Sequence, residues 1–158
     1  MALSWEALVA LSKFLDERSP QRIIEYGSGI STCLLADYGR TRNIQIQSFD
    51  SDAQWAMKTN DFLKEQGLDQ WAKVRFADVP TPLEQVDFVL WDFDRNPKRV
   101  DCMATAFENV KPVGVMYVDD MQNDEIASAC LALAGKIVGL VPVDAYRRYG
   151  AFVEREGR

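Results

Sequence analysis

The chain contains 158 residues, of which 47 % are hydrophobic and 27 % are charged, and its formal net charge is −6. These values fit one globular domain that spans residues 1–158. A chain with excess negative charge has no field that neutralises phosphate groups, so we expect no nucleic-acid partner and no membrane partner.

Residue counts exclude several further kinds of site. The three cysteines, Cys33, Cys102 and Cys130, are odd in number and far apart, which argues against a disulfide framework or a zinc site. Histidine is absent, so His-based triads and histidine general bases are excluded. No apolar run reaches the length of about 18 residues needed to span a membrane. The N-terminus lacks the pattern of a signal peptide, and we expect a cytoplasmic protein.

Helix and strand patterns alternate along the chain. The spacing of apolar residues predicts an amphipathic helix over residues 3–18, with Ser4 as its N-terminal cap. A glycine turn separates the first predicted strand from a helix that begins at Ser31 or Thr32 and ends near Gly39. The predicted strands are residues 22–26, 43–49, 73–77, 87–91 and 113–118, and the later helices are residues 53–66, 98–109 and 123–135.

The order of these elements predicts the fold class. Two apolar runs at residues 136–143 and 149–155 predict an antiparallel hairpin. Strands that alternate with helices and are almost continuously apolar predict a parallel sheet with helices on both faces. We therefore expect an α/β three-layer sandwich, in which a mostly parallel sheet is closed by a C-terminal antiparallel hairpin. Residues 1–20 form its N-terminal helix and residues 21–158 its core.

Acidic residues end or directly follow five of the predicted strands. They are Glu25, Asp50, Asp78, Asp92 and Asp119. Ligands of open parallel sheets bind beyond the carboxyl ends of the strands, so these acids are expected to line one edge of the sheet. A single Asp at such a position is commonly a turn residue or a helix cap. Five of them around a glycine turn favour a site for a cation, for hydroxyl groups or for a metal.

The glycine turn lies within the sequence IIEYGSGIST at residues 23–32. Gly27 and Gly29 allow a ligand to approach the backbone without meeting a Cβ atom. The dinucleotide-binding fingerprint requires a third glycine, which is missing here. Glu25, two residues before Gly27, would repel a pyrophosphate. The turn therefore favours a cationic cofactor without phosphate groups.

These motifs, in this order and spacing, resemble the class I S-adenosylmethionine-dependent methyltransferases over nearly the whole chain. The resemblance implies a Rossmann-like methyltransferase sandwich that binds S-adenosylmethionine. It implies that Glu25 lies near the ammonium group, Asp50 at the ribose hydroxyls and Asp78 at the adenine amino group. Trp55 is either a wall for the adenine or a core residue of its helix. The implied cofactor-binding residues are Glu25, Gly27, Ser28, Gly29, Ser31, Asp50 and Asp78.

Within that family, the sequence resembles above all the small-molecule O-methyltransferases of catechol type and their uncharacterised relatives. Metal-dependent members hold a divalent cation with an acid after strand four and an acidic pair after strand five, and Asp92, Asp119 and Asp120 match these positions. Oxygen ligands suit Mg²⁺ or another hard cation, which lowers the pKa of a bound hydroxyl. The resemblance thus implies catalytic roles for Asp92 and Asp119.

Other interpretations of this region stay open. Asp94, Asp119 and Asp120 are alternatively surface turn residues. The metal-dependent members also carry a lysine after the first acid, and Arg95 and Lys98 lie near that position. Arg95 is alternatively a residue that steers an acidic acceptor.

The acceptor is expected to be a small molecule that is methylated on a hydroxyl oxygen. Catechol-type enzymes cover the acceptor with additional N-terminal helices, whereas one helix precedes the first strand here. The acceptor pocket is then open, shared within a homodimer or completed by a partner. Two other functions remain as alternatives: a binding or scaffold protein that has lost turnover, and a nicotinamide-dependent oxidoreductase. The acid before the turn and the missing third glycine count against the oxidoreductase.

Overall fold

Seven strands and six helices form the described part of the chain, which covers residues 3–80, 85–93 and 97–157 of a computed structural model. The strands are β1 (Ile23–Tyr26), β2 (Ile46–Asp50), β3 (Ala72–Phe76), β4 (Val86–Trp91), β5 (Val110–Val118), β6 (Gly135–Leu140) and β7 (Ala151–Arg155). The helices are α1 (Trp5–Arg18), α2 (Ile30–Arg42), α3 (Ala53–Glu65), α4 (Lys98–Asp101), α5 (Met103–Glu108) and α6 (Asp124–Leu131).

All seven strands belong to one sheet, in the order β3-β2-β1-β4-β5-β7-β6. Strands β1 to β5 pair in parallel, and β7 lies antiparallel between β5 and β6. The predicted mostly parallel sheet with an antiparallel C-terminal closure is therefore confirmed. The strand order reverses at β1, which places the carboxyl ends of β1 and β4 side by side where ligands bind in such sheets.

Two hydrophobic clusters, one on each face of the sheet, form the core. Successive residues of a strand point to opposite faces, and Ile23 and Ile24 of β1 accordingly belong to different clusters. The cluster around Ile23 includes residues of α1, α2 and α3, and the cluster around Ile24 includes residues of α5 and α6. Within the described ranges, no helix is both long and apolar enough to cross a membrane.

The predicted helix boundaries differ from the structure in the second half of the chain. The helix predicted over residues 98–109 is two short helices, α4 and α5, that meet at Cys102. The helix predicted to end at Gly135 ends at Leu131, and Gly135 instead begins β6. A Cβ atom on Gly135 would lie 2.8 Å from the carbonyl oxygen of Glu154 in β7. This glycine is therefore needed for close strand pairing rather than for ending a helix.

Candidate functional site

A cleft of about 930 Å³ lies beyond the carboxyl ends of the central parallel strands. This volume falls within the range of about 300–1,000 Å³ that is usual for small-molecule sites. We call one part of it the glycine-turn end, formed by Gly27, Ser28, Gly29, Asp50 and Trp55. We call the other part the aspartate end, formed by Asp92, Arg99, Asp120, Gln122 and Arg148. Leu3, which precedes α1, also lines the cleft.

The two glycines of the turn have different structural roles. Gly27 has a positive φ of +92°, and a Cβ atom there would lie 2.1 Å from the carbonyl oxygen of Asp92. It is thus required for the turn to pack against the residues that follow β4. A Cβ atom on Gly29 would meet no atom within 4 Å among the described residues. Gly29 is therefore the glycine that leaves room for a ligand.

Glu25 lies behind the turn and does not line the cleft. Its side chain is fully buried, and it accepts hydrogen bonds from the hydroxyls of Ser31 (2.5 Å), Thr32 (2.6 Å) and Ser48 (2.6 Å). Burial raises the pKa of Glu25 to about 7, although the three hydroxyl groups oppose the shift. The Thr32 hydroxyl also accepts a hydrogen bond from the backbone N–H of Gly29 (2.9 Å). Through these groups, Glu25 holds the start of α2 and the turn in place.

Asp50 holds the same turn from the side of the cleft. Its Oδ2 atom accepts hydrogen bonds from both the backbone N–H and the hydroxyl of Ser28, each at 2.7 Å. Its Oδ1 atom accepts one from the backbone N–H of Asp52 at 2.9 Å. The indole N–H of Trp55 donates to the Ser28 carbonyl at 2.7 Å, while 48 % of Trp55 is exposed. Trp55 is thus a wall of the cleft and not a core residue of α3.

The three aspartates predicted to act together do converge at the aspartate end. Asp92, Asp119 and Asp120 each offer one carboxylate oxygen, and these atoms lie within 4.8 Å of one another. Burial raises the pKa of Asp92 to about 7; Arg99 opposes this shift, and Asp119 and Asp120 add to it. Burial likewise raises the pKa of Asp119, which accepts a hydrogen bond from the Tyr117 hydroxyl at 2.8 Å. Asp119 is hence a buried acid rather than a surface turn residue, and Asp92 is half-buried in the lining of the cleft.

Arg99 is a member of this site that sequence reasoning did not single out. Its side chain is almost fully buried, with Nη2 at 2.7 Å from Asp92 Oδ1 and Nη1 at 2.8 Å from Asp120 Oδ2. It lies in the second position of α4, seven residues after Asp92. The signal in the sequence that could have revealed Arg99 is charge balance. Three converging carboxylates need a nearby cation, and the chain contains no histidine to supply one.

Some predicted residues are not brought to the cleft. The side chain of Asp78 is 73 % exposed, and it forms an ion pair with Lys98 outside the cleft lining. Asp94 and Arg95, which carried two of the open interpretations, lie outside the described residues.

Comparison with solved structures agrees with this fold. A SAM-dependent O-methyltransferase from Thermotoga maritima matches 100 % of this chain and 68 % of its own, with a TM-score of 0.76 and 17 % identity. The O-methyltransferase TomG from Streptomyces achromogenes, solved in complex with SAM, matches 99 % of this chain and 82 % of its own (TM-score 0.75, 15 % identity).

The chain has the class I methyltransferase fold. The resemblance inferred from the motifs is thus confirmed at the level of the fold. The same methyltransferase fold occurs in the tRNA methyltransferase TrmK of B. subtilis, which matches 99 % of this chain and 67 % of its own (TM-score 0.71, 10 % identity). No protein-family model and no curated protein matches the chain.

In this methyltransferase fold, the donor set of the glycine-turn end suits S-adenosylmethionine. Gly29 leaves open space beside the backbone, Trp55 offers an aromatic surface, and the Asp50 carboxylate can accept hydrogen bonds from hydroxyl groups. The negative charge of Asp50 at this end would repel a phosphate group. A cofactor without phosphate groups therefore fits better than a dinucleotide.

A divalent cation fits the aspartate end of the methyltransferase fold only in part. Three carboxylate oxygens within 4.8 Å of one another are suitable hard ligands for Mg²⁺ or Ca²⁺. However, the guanidinium of Arg99 already contacts two of the three carboxylates. A bound cation would therefore have to compete with Arg99 for Asp92 and Asp120.

Proposed function

We propose that this protein transfers a methyl group from S-adenosylmethionine to a hydroxyl oxygen of a small-molecule acceptor. The observation that carries the proposal is the single cleft that joins the glycine-turn end to the aspartate end. A donor held at the first end would direct its sulfonium methyl group toward an acceptor at the second. Methyl transfer from an activated sulfonium mainly requires alignment of the two molecules and removal of the acceptor's proton.

The aspartate end supplies the groups that this reaction needs from the protein. Asp92 lines the cleft and, in this proposal, accepts the proton that the acceptor hydroxyl loses. Asp119, held by the Tyr117 hydroxyl, lies beside it and favours proton uptake through its negative charge. Ile126 and Leu3 add apolar surface to the cleft, which favours an acceptor with an apolar body.

The similar solved structures differ in their class of acceptor. They include proteins described as RNA methyltransferases as well as O-methyltransferases. The net charge of −6 favours a small molecule. A chain that binds RNA usually presents a basic surface to neutralise phosphate groups.

Donor binding is tested by isothermal titration of the protein with S-adenosylmethionine. We expect the Asp50→Asn variant to bind the donor about 10- to 100-fold more weakly, since one hydrogen bond to a charged acceptor is worth about 1.5–3 kcal/mol. The amide keeps one oxygen that can still accept from Ser28, although the hydrogen bond from the Asp52 N–H to the other oxygen is lost, so the thermal midpoint of the variant is measured as well. Asp61→Asn, an exposed residue of α3, is the control for loss of one negative charge.

Two results would contradict the assignment of the glycine-turn end. One is the absence of heat when the wild-type protein is titrated with millimolar donor. The other is equal donor affinity in the Asp50→Asn and Asp61→Asn variants at unchanged thermal midpoints.

The acceptor class is tested by mass spectrometry of products from donor, protein and two acceptor sets. One set contains phenols, catechols and other small hydroxyl compounds, and the other contains transfer and ribosomal RNA. We expect a mass increase of one methylene group in members of the first set and none in RNA. Methylated RNA with unmodified small molecules would overturn the small-molecule assignment.

A further inference from the structure

Arg99 lies where its positive charge compensates the acids of the aspartate end. Its side chain is 6 % exposed, and its two terminal nitrogens reach one oxygen of Asp92 and one of Asp120. A buried guanidinium is stable only where carboxylates compensate its charge. Because Asp92 follows β4 and Asp120 follows β5, Arg99 joins the ends of two neighbouring strands.

Charge attraction and one hydrogen bond together fix the position of Arg99. Nη1 donates a hydrogen bond to Asp120 Oδ2 at 2.8 Å, whereas Nη2 lies at ion-pair distance from Asp92 Oδ1 without hydrogen-bond geometry, and Nε has no acceptor among the described residues. The guanidinium thus pairs with both anions and is hydrogen-bonded to one of them. Another arginine at this end, Arg148, forms an ion pair with Asp144, and its positive charge also acts on Asp119 and Asp120.

A divalent cation at this position would be coordinated by carboxylates that Arg99 already contacts. The candidate ligand set consists of Asp92, Asp119 and Asp120, and Arg99 occupies the first and third. A guanidinium that stays against Asp92 and Asp120 neutralises part of their charge and repels a divalent cation at the same carboxylates. Binding of either cation is therefore expected to weaken binding of the other.

We propose that Arg99 is a built-in replacement for a divalent cation at the aspartate end, and that it positions Asp92 and Asp120 there. While Arg99 is in place, the three carboxylates do not bind Mg²⁺, Mn²⁺ or Ca²⁺. In the context of the proposed methyl transfer, on which this point rests, the reaction needs no added metal. Arg99 is a positioning residue, since it acts through the two aspartates.

The proposal is tested by titration with Mn²⁺ alone, followed by calorimetry and by the thermal midpoint at constant ionic strength. The wild-type protein should show no saturable Mn²⁺ binding. Arg99→Met should gain one Mn²⁺ site, at least about tenfold tighter than any binding to wild type. Removing one positive charge beside a divalent cation changes the affinity for that cation by at least this factor, even at the dielectric constant of water. Mn²⁺ should also raise the thermal midpoint of this variant.

Matched variants separate this effect from a general change of charge. Arg40→Met removes an exposed arginine paired with Asp37, and it should gain no Mn²⁺ site. Arg99→Lys keeps a positive charge and should also gain none. Adding Asp120→Asn to Arg99→Met should abolish the gained site.

Two outcomes would overturn the proposal. The first is saturable Mn²⁺ binding to the wild-type protein that Asp120→Asn abolishes, a result that needs no Arg99 variant to fold. The second is a folded Arg99→Met variant that binds Mn²⁺ no better than wild type. Neither depends on methyl transfer, so failure of the proposed function, seen as absent donor binding, is distinguishable from failure of this inference. If methyl transfer is detected, a chelator should leave its rate unchanged in the wild-type protein.

Discussion

Replacing Gly27 with alanine is expected to lower the free energy of unfolding by about 3 kcal/mol or more, since the positive φ and the steric overlap each cost roughly 1–3 kcal/mol. The new Cβ atom would lie 2.1 Å from the carbonyl oxygen of Asp92 and 2.6 Å from its carbonyl carbon. Both are backbone atoms, so they cannot move away as the end of a flexible side chain could. For a domain of this size, the thermal midpoint should fall by roughly 6–12 °C.

Gly29→Ala is the matched comparison for this prediction. A Cβ atom there meets open space, so the loss of stability should be much smaller, about 1 kcal/mol or less. Because Gly29 borders the cleft, its methyl group should instead weaken donor binding. Urea unfolding and donor titration of both variants measure these two effects. Equal stability of the Gly27→Ala and Gly29→Ala variants would contradict the close contact between the turn and the loop after β4.

The stability of the protein should fall between about pH 4.5 and pH 7 because of Glu25. Burial raises the pKa of this carboxyl from 4.5 to about 7 in the folded protein. In this pH window, the folded protein keeps a proton that the unfolded chain has already lost, so rising pH favours unfolding. The contribution is fully present below pH 4.5 and is lost as the pH passes 7. Glu25 contributes at most about 3 kcal/mol to the free energy of unfolding, since one pKa unit corresponds to about 1.4 kcal/mol.

The Glu25→Gln variant isolates this contribution. Asp92 and Asp119 also have raised pKa values, so the quantity to measure is the difference in unfolding free energy between wild type and variant. From pH 4.5 to pH 7.5, that difference should move by about 3 kcal/mol in favour of the variant. Glu65→Gln, at the end of α3, controls for the loss of one acid. A difference that is independent of pH, or that favours wild type at high pH, would rule out the buried ionisable role of Glu25.

Glu25 shows why one part of the site could be predicted from the sequence and another part could not. An acid before a glycine turn is a local pattern, and so is an acid at the end of a strand, as in Asp50. Whether such an acid faces the cleft depends on residues far away in sequence. Glu25 is buried because Ser48 of β2 and two hydroxyls of α2 surround it, and no local pattern encodes that meeting.

The other features of the fold and the site divide in the same way between local sequence patterns and contacts distant in sequence. The parallel pairing of the strands follows from apolar runs that alternate with helices, which are long and periodic features, whereas the order of the strands does not. Gly27 and Gly29 look alike in sequence, yet only the packing of the loop after β4 makes the first one sterically necessary. Arg99 belongs to a short helix inside a segment that resembles one longer helix. Its role depends on the meeting of two strand ends, which is a property of the sheet.

Hydrogen bonds hold the glycine turn from both sides before any ligand binds. Glu25 holds the turn through α2 from within the core, and Asp50 holds Ser28 from the cleft. The conformational entropy of this loop is therefore lost during folding and not when the ligand arrives. A preorganised loop of this kind should bind its ligand with little structural rearrangement, close to a lock-and-key process.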